Sequence, residues 1–138
     1  MAFSKILVPV DLTDKTARAV EVAGDLVAKG GDVVLLHVIE QLDTAFDEEN
    51  DFYGKLEVQA QARMQEHLAC LSERGVQAHA TIRIGKRARE IVQYTHAEDF
   101  DLMILHSHRL DPTDLPRGLL TISHQVAIAA KSPVLLIR

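Results

Sequence analysis

The fold is decided by the stretch Val33-Val34-Leu35-Leu36-His37-Val38-Ile39, which is rich in β-branched and aliphatic residues. Apolar and polar residues do not alternate along this stretch, so both faces of the strand that it forms must be buried. Strands of this kind lie at the centre of parallel sheets, where helices cover both faces. The stretch therefore predicts an α/β domain built on a parallel sheet.

Four other short apolar runs lie along the chain, at residues 6–10, 76–84, 102–105 and 134–137. Helical patterns separate the five runs. The first predicted helix is capped by Thr13 or Asp14 and ends at Gly30-Gly31, and the second has the apolar stripe Leu56, Ala60, Met64, Leu68 and Leu71. The third follows Gly85 and turns Ala88, Ile91, Val92 and Thr95 inward, and the fourth runs from about Leu120 to Ala130. Strands joined by helical crossovers run parallel, and the order therefore predicts an open doubly wound sheet.

The third apolar run alternates, unlike the second. It places Val76, Ala78, Ala80, Ile82 and Ile84 on one face and polar residues on the other. A strand with one polar face is half-exposed, and in a parallel sheet such a strand belongs at an edge.

The composition limits the class of protein. A chain of 138 residues with 47% hydrophobic residues is the size of one globular domain, which we expect to span residues 1–138. The formal charge of −5 argues against a nucleic-acid binder and against docking to an anionic membrane. No apolar run approaches the roughly 20 residues of a membrane span, and the amino-terminal residues lack the pattern of a signal peptide. We therefore expect a cytoplasmic protein.

Several segments together resemble the universal stress protein family. They are Lys5-Ile6-Leu7-Val8-Pro9-Val10-Asp11, Leu35-Leu36-His37-Val38, Asp101-Leu102-Met103-Ile104 and Ser132-Pro133-Val134-Leu135-Leu136-Ile137. The resemblance implies a five-stranded parallel sheet in the order 3-2-1-4-5, with helices on both faces, which agrees with strand three as an edge. It also implies a homodimer through strand five, because the apolar edge Val134-Leu135-Leu136-Ile137 invites pairing with another chain.

In a sheet of this order, ligands bind at the carboxyl ends of strands one and four, where the winding reverses. Nucleotide-binding members of the family carry Gly, two residues, Gly, about nine residues, then Gly with Ser or Thr in this segment. Here the glycine positions hold His106, Arg109 and Leu120. The loop also gains Asp111 and Asp114, which oppose phosphate binding. The candidate pocket comprises Asp11, Val38, His106, Ser107, Arg109, Thr121, Ile122 and Ser123.

The resemblance therefore implies a stress-response binding module without functional ATP binding and without a cofactor. The alternative is a sensor whose altered pocket takes ATP or AMP with magnesium. Structural roles compete with ligand roles at individual residues. Asp11 can cap the first helical region, Thr121 and Ser123 can be amino-terminal residues of the last helix, and His37 can be a hydrogen-bonded core histidine.

Two chemical alternatives to this interpretation are weaker. A zinc site could combine His106 and His108 with Asp11 and His37, although His-x-His is a frequent chance pattern. Ser107 lies between two histidines, but neighbouring residues of a strand point to opposite faces, and no Gly-x-Ser-x-Gly elbow exists. We therefore expect no enzymatic activity.

Two charged segments remain without an assigned role. Residues 43–51 form an acidic loop that we expect to be a surface segment, and Arg83, Lys86, Arg87 and Arg89 surround the start of the third helix. Positive side chains at a helix amino terminus can bind an anion or an acidic partner, and a solvated face is the simpler interpretation.

Overall fold

The computed structural model describes residues 3–41, 50–107 and 121–138. The strands are β1 (Phe3–Pro9), β2 (Val27–Glu40), β3 (Gln77–Gly85), β4 (Leu102–His106) and β5 (Val134–Ile137). The helices are α1 (Ala17–Leu26), α2 (Asn50–Glu73), α3 (Arg87–Ala97) and α4 (Ile122–Ala129), and a 3₁₀ turn at Asp14–Thr16 precedes α1. None of these helices is long and apolar enough to cross a membrane.

The five strands form one parallel sheet in the order β3-β2-β1-β4-β5, which confirms the predicted fold and its strand order. The strand β2 lies between β3 and β1, and all of its residues from Val33 to Ile39 are buried, as the lack of alternation predicted. The predicted edge position of β3 is also confirmed. The pairing between β1 and β4 is the shortest in the sheet, with Ile6 opposite Leu102 and Leu7 opposite Met103.

Two apolar clusters cover the two faces of the sheet. Side chains of successive strand residues point to opposite faces, so Ile6, Val8 and Leu35 pack against α1 and α2, whereas Leu7 and Leu36 pack against α3 and α4. The predicted stripe of α2 is confirmed, because Ala60, Met64 and Leu71 are fully buried, and Met64 and Leu71 belong to the first cluster.

Two predicted boundaries were wrong. The acidic segment 43–51 was predicted to be a surface loop, but α2 begins at Asn50 and includes Asp51; residues 43–49 of this segment lie outside the described residues. Gly30-Gly31 was predicted to end the first helix, but α1 ends at Leu26 and both glycines lie inside β2. Gly30 does take the expected left-handed conformation, with φ of 82°. It does so at an irregularity where Phe3 pairs with Val27 and Lys5 pairs with Asp32.

Gly31 should not tolerate a side chain at this irregularity. A Cβ atom there would lie 2.7 Å from the backbone carbonyl oxygen of Ser4 on β1. We expect Gly31→Ala to lower the free energy of unfolding by about 1–3 kcal/mol, measured by urea denaturation. Gly54→Ala is the matched control, because a Cβ at Gly54 in α2 meets nothing within 4 Å. That variant should gain about 0.5–1 kcal/mol; equal effects in the two variants would contradict the close approach of β2 to β1.

Candidate functional site

A cavity of about 200 Å³ lies at the carboxyl ends of β1, β2 and β4. Its apolar walls come from Pro9, Val10, Leu36, Val38, Ile91, Leu105 and Ile122, and its polar groups come from Asp11, Thr16, Arg87, His106, Ser107, Thr121 and Ser123. The cavity contains all the described residues of the predicted pocket: Asp11, Val38, His106, Ser107, Thr121, Ile122 and Ser123. The other predicted residue, Arg109, lies outside the described residues, as do Asp111, Asp114 and Leu120. That these residues contact a ligand stays a prediction.

Asp11 follows β1 and already has a structural role. Its Oδ1 accepts hydrogen bonds from the backbone N–H of Thr13 at 2.9 Å and from the Thr13 hydroxyl at 2.5 Å. Thr13 in turn caps the 3₁₀ turn by accepting from the N–H of Lys15. Within the described part of the chain, Oδ2 of Asp11 makes no hydrogen bond, so the same carboxylate can hold the turn and still accept from a ligand.

The two hydroxyl residues at the start of α4 also have structural roles. Thr121 is the N-cap of α4, and its Oγ1 accepts from the N–H of His124 at 3.1 Å. The hydroxyl of Ser123 donates to the backbone oxygen of His106 at 3.2 Å, which ties α4 to the end of β4. The prediction that Thr121 and Ser123 are helix amino-terminal residues is therefore confirmed. These bonds fix the wall of the cavity, whatever it binds.

His37 is a core histidine, as the simpler interpretation predicted. It is 8% exposed, and its Nδ1 lies 2.8 Å from the backbone oxygen of Val10, which joins the ends of β2 and β1. Residues 3–41, 50–107 and 121–138 contain no group of three His, Cys, Asp or Glu side chains that could hold a metal ion. The other histidine of the zinc hypothesis, His108, lies outside these ranges.

Arg87 is a charged residue of the cavity that the sequence analysis did not place there. It was assigned to a separate basic cluster at the start of α3. In the sheet, Glu40 pairs with Gly85, so α3 begins at the same edge as the end of β1 and Arg87 reaches the cavity. The carboxylate of Glu40 accepts from the backbone N–H of Arg87 at 3.1 Å. The Glu40 carboxylate therefore occupies the amino terminus of α3, where an external anion could otherwise bind.

Arg87 also lines a second cavity of about 300 Å³ next to the first. This cavity lies between the end of β2 and the start of α2, and its walls are Leu12, His37, Val38, Ile39, Glu40, Phe52, Leu56 and Arg87. Val38 and Arg87 line both cavities, so they separate the two.

The long helix α2 holds the turn that carries Asp11. Arg63 on α2 donates to the backbone oxygen of Leu12 at 3.0 Å and forms an ion pair with Asp14 at 3.3 Å. The Asp14 side chain is fully exposed, so the ion pair adds little. The bond to the Leu12 oxygen is the contact that fixes the turn against α2.

His67 lies one helical turn after Arg63. Burial lowers the pKa of His67 below its ordinary value of 6.5, the nearby guanidinium of Arg63 lowers it further, and the carboxylate of Glu66 opposes the shift. An unfolded chain therefore binds a proton at this position at a higher pH than the folded chain does. The stability of the protein should be unaffected by His67 well above pH 6.5 and should fall as the pH drops through that value.

We expect His67→Gln to reduce this acid sensitivity. The free energy of unfolding, measured by urea denaturation between about pH 8 and about pH 5.5, should decline less steeply in His67→Gln than in the wild type. The comparison uses the slopes against pH, because any packing change from the substitution shifts both ends of the curve alike. Equal slopes would contradict a lowered pKa for His67.

Comparison with known proteins gives one consistent family. A family model described as the universal stress protein family matches residues 2–138. The curated universal stress protein MJ0577 of Methanocaldococcus jannaschii is 27% identical over 156 aligned positions, which cover 99% of this chain and 95% of the relative. The solved structure of MJ0577 superposes with a TM-score of 0.82 at 28% identity, over 99% of this chain and 96% of the other.

Two solved structures with lower identity share the fold and contain nucleotides. A universal stress protein family protein from Arabidopsis thaliana with AMP bound has a TM-score of 0.70 and 20% identity, over 97% of this chain and 90% of the other. The universal stress protein of Archaeoglobus fulgidus in complex with dAMP has a TM-score of 0.65 and 16% identity, over the full length of both chains.

Proposed function

This chain belongs to the universal stress protein family, and from that membership we propose that it is a non-enzymatic, cytoplasmic binding module of the stress response that acts as a homodimer and does not use ATP. The observation that carries the proposal is the cavity at the carboxyl ends of β1, β2 and β4. Three of its described polar side chains, those of Asp11, Thr121 and Ser123, make hydrogen bonds that hold the local structure. Such an arrangement favours binding over chemistry.

The case against ATP rests on the sequence after β4. Glycines let backbone N–H groups approach phosphates closely, and the three positions where this family's nucleotide signature has glycine hold His106, Arg109 and Leu120. The cavity of about 200 Å³ is also smaller than the roughly 300–1,000 Å³ of pockets that enclose a whole drug-sized ligand. Both observations favour a ligand smaller than a nucleoside triphosphate.

Calorimetric titration with ATP and magnesium tests this part of the proposal. The wild type should give no detectable heat up to about millimolar nucleotide, whereas micromolar affinity would overturn the proposal. The informative companion is a triple variant with His106→Gly, Arg109→Gly and Leu120→Gly. It should gain affinity for ATP if the missing glycines are the reason for weak binding.

The homodimer is proposed at β5, which hydrogen-bonds to β4 on one side and is the last strand of the sheet. All four residues of β5 are apolar, and the side chain of Leu136 is 37% exposed. The preceding helix α4 exposes Ile122 and Ile128 as well. An apolar edge strand, in a chain that also exposes apolar side chains on the preceding helix, favours pairing with a second copy of the chain.

A second candidate function is an adenine-nucleotide sensor that takes AMP or ATP, with magnesium where the phosphates need it. Two observations favour it. The cavity lies where ligands bind in open α/β sheets, and relatives with the same fold have been solved with AMP and dAMP. Titration with AMP separates the two functions. The first function predicts no saturable binding of AMP, and the second predicts saturable binding of one AMP molecule per chain.

A further inference from the structure

One side of α2 faces the turn after β1 and the helix α1 that follows this turn. Arg63, His67 and Arg74 occupy this side, because residues four and eleven positions apart lie on the same side of a helix. Arg63 donates to the backbone oxygen of Leu12 in the turn at 3.0 Å, and Arg74 donates to the backbone oxygen of Glu21 in α1 at 3.1 Å. His67 therefore lies between the two side chains that fasten α2 to this part of the chain.

The environment of His67 opposes a positive charge on its ring. The ring is partly buried, and the charged groups that act on it come from α2 and from the turn: Arg63 and Glu66, and Asp14 and Asp11. On α1, the carboxylate of Asp25 pairs with Arg74 instead. Burial is the largest of the effects on His67 and lowers its pKa, so a more exposed ring binds a proton more readily. Acid therefore favours a movement that brings this ring into water.

The turn after β1 is held loosely at its end. Asp11 binds Thr13 at the start of the turn through two short hydrogen bonds. By contrast, the Thr16 hydroxyl reaches two backbone oxygens of the turn only at 3.4 Å, and the N–H of Lys15 reaches Thr13 at 3.2 Å. Hydrogen bonds of this length are weak, so the contact with α2 helps to hold the turn in place. Asp11 and Thr16 both line the cavity, and release of the turn from α2 would therefore loosen one wall of the cavity.

We propose that the contact between α2 and this turn is a pH-sensitive switch, in which protonation of His67 releases the turn and loosens the cavity wall that contains Asp11 and Thr16. Near neutral pH the ring of His67 is uncharged, and Arg63 holds the backbone of Leu12. In acid, a second positive charge forms one helical turn from the Arg63 guanidinium, in a contact that is partly shielded from water, and the two cations repel each other. The switch acts on the cavity whatever ligand the cavity holds.

Hydrogen exchange of backbone amides, measured by NMR on the full-length protein, tests the switch. The amides of Lys15 and Ala17 close the turn through hydrogen bonds to Thr13 and Asp14. Their protection relative to an unstructured peptide should fall by up to about 10-fold between about pH 7.5 and about pH 5.5, because the ordinary pKa of 6.5 applies to His67 in the open form while the closed form stays neutral. The variant His67→Gln should abolish this fall.

Two further variants and an internal reference complete the experiment. His79→Gln is the matched control and should keep the fall, because His79 is exposed on β3 and is not among the groups that act on His67. His67→Leu is a second variant without a titrating ring, should His67→Gln not fold. The amides of Val33 to Ile39 in β2 report global unfolding, which urea accelerates, whereas the turn amides should not respond to about 1 M urea because a local opening exposes little surface.

Three results would overturn the switch. They are a protection of Lys15 and Ala17 that does not change with pH, a fall that is equally large when His67 is replaced, and a fall that urea accelerates as it does in β2. The last of these results would assign the effect of His67 to the stability of the whole domain rather than to the turn.

Discussion

Replacing Leu136 by lysine is expected to convert the proposed dimer into monomers. Leu136 is the most exposed residue of the edge strand β5, at 37%. In a dimer that pairs two copies of β5, this side chain would lie at the centre of the contact. An ammonium group there would be buried without a partner, and the cost should raise the dissociation constant of the dimer by about 100-fold or more.

Light scattering coupled to size-exclusion chromatography measures this change, with the wild type eluting at twice the mass of the variant. Ile84→Lys is the matched control. Ile84 is 39% exposed on β3, the strand at the opposite edge of the sheet, so the same charge is added to an edge that the proposed dimer does not use. A dimer that survives Leu136→Lys, or one lost in Ile84→Lys alone, would place the contact elsewhere.

Among the variants considered for stability, Met64→Ala is expected to lower the free energy of unfolding the most. Met64 is fully buried on α2 and packs between this helix and the face of the sheet that contains Val33 and Leu35. Removing its side chain loses apolar burial and leaves a cavity in a well-packed core. Such changes lower the free energy of unfolding by about 2–5 kcal/mol.

Urea denaturation followed by circular dichroism measures the loss. The control on the same helix is Val58→Ala, whose side chain is 66% exposed and should change the free energy of unfolding by less than about 0.5 kcal/mol. Similar values for the two variants would show that α2 does not pack through the stripe of Ala60, Met64 and Leu71.

The parts of the fold that were predictable from the sequence depend on local patterns. The lack of alternation in residues 33–39 predicted a strand that is buried on both faces, and the alternation in residues 76–84 predicted a strand at an edge of the sheet. The end of α1 was not predictable in this way. The positive φ of Gly30 fits a helix terminus and a strand irregularity equally well, and the pairing of Lys5 with Asp32 beyond it shows that the residue lies inside β2.

The candidate site shows the same limit. Asp11, His106 and Ser123 were predicted together because each follows a strand or begins a helix at the known end of the sheet. Arg87 was missed because its place depends on the pairing of Glu40 with Gly85, a contact between residues far apart in the chain. No local pattern around Arg87 carries that information, and its three basic neighbours suggested a solvated face instead.

The short pairing between β1 and β4 divides the sheet into two blocks that are each continuous in sequence. Residues 3–85 build β1, β2 and β3, and residues 102–137 build β4 and β5, so the backbone hydrogen bonds near Ile6 and Leu7 are the narrow seam between them. The cavity lies at one end of that seam and takes its walls from both blocks. A ligand bound there would contact both blocks and would stabilise the pairing of β1 with β4 against local opening. Ligand binding should therefore slow amide hydrogen exchange along β1 and β4.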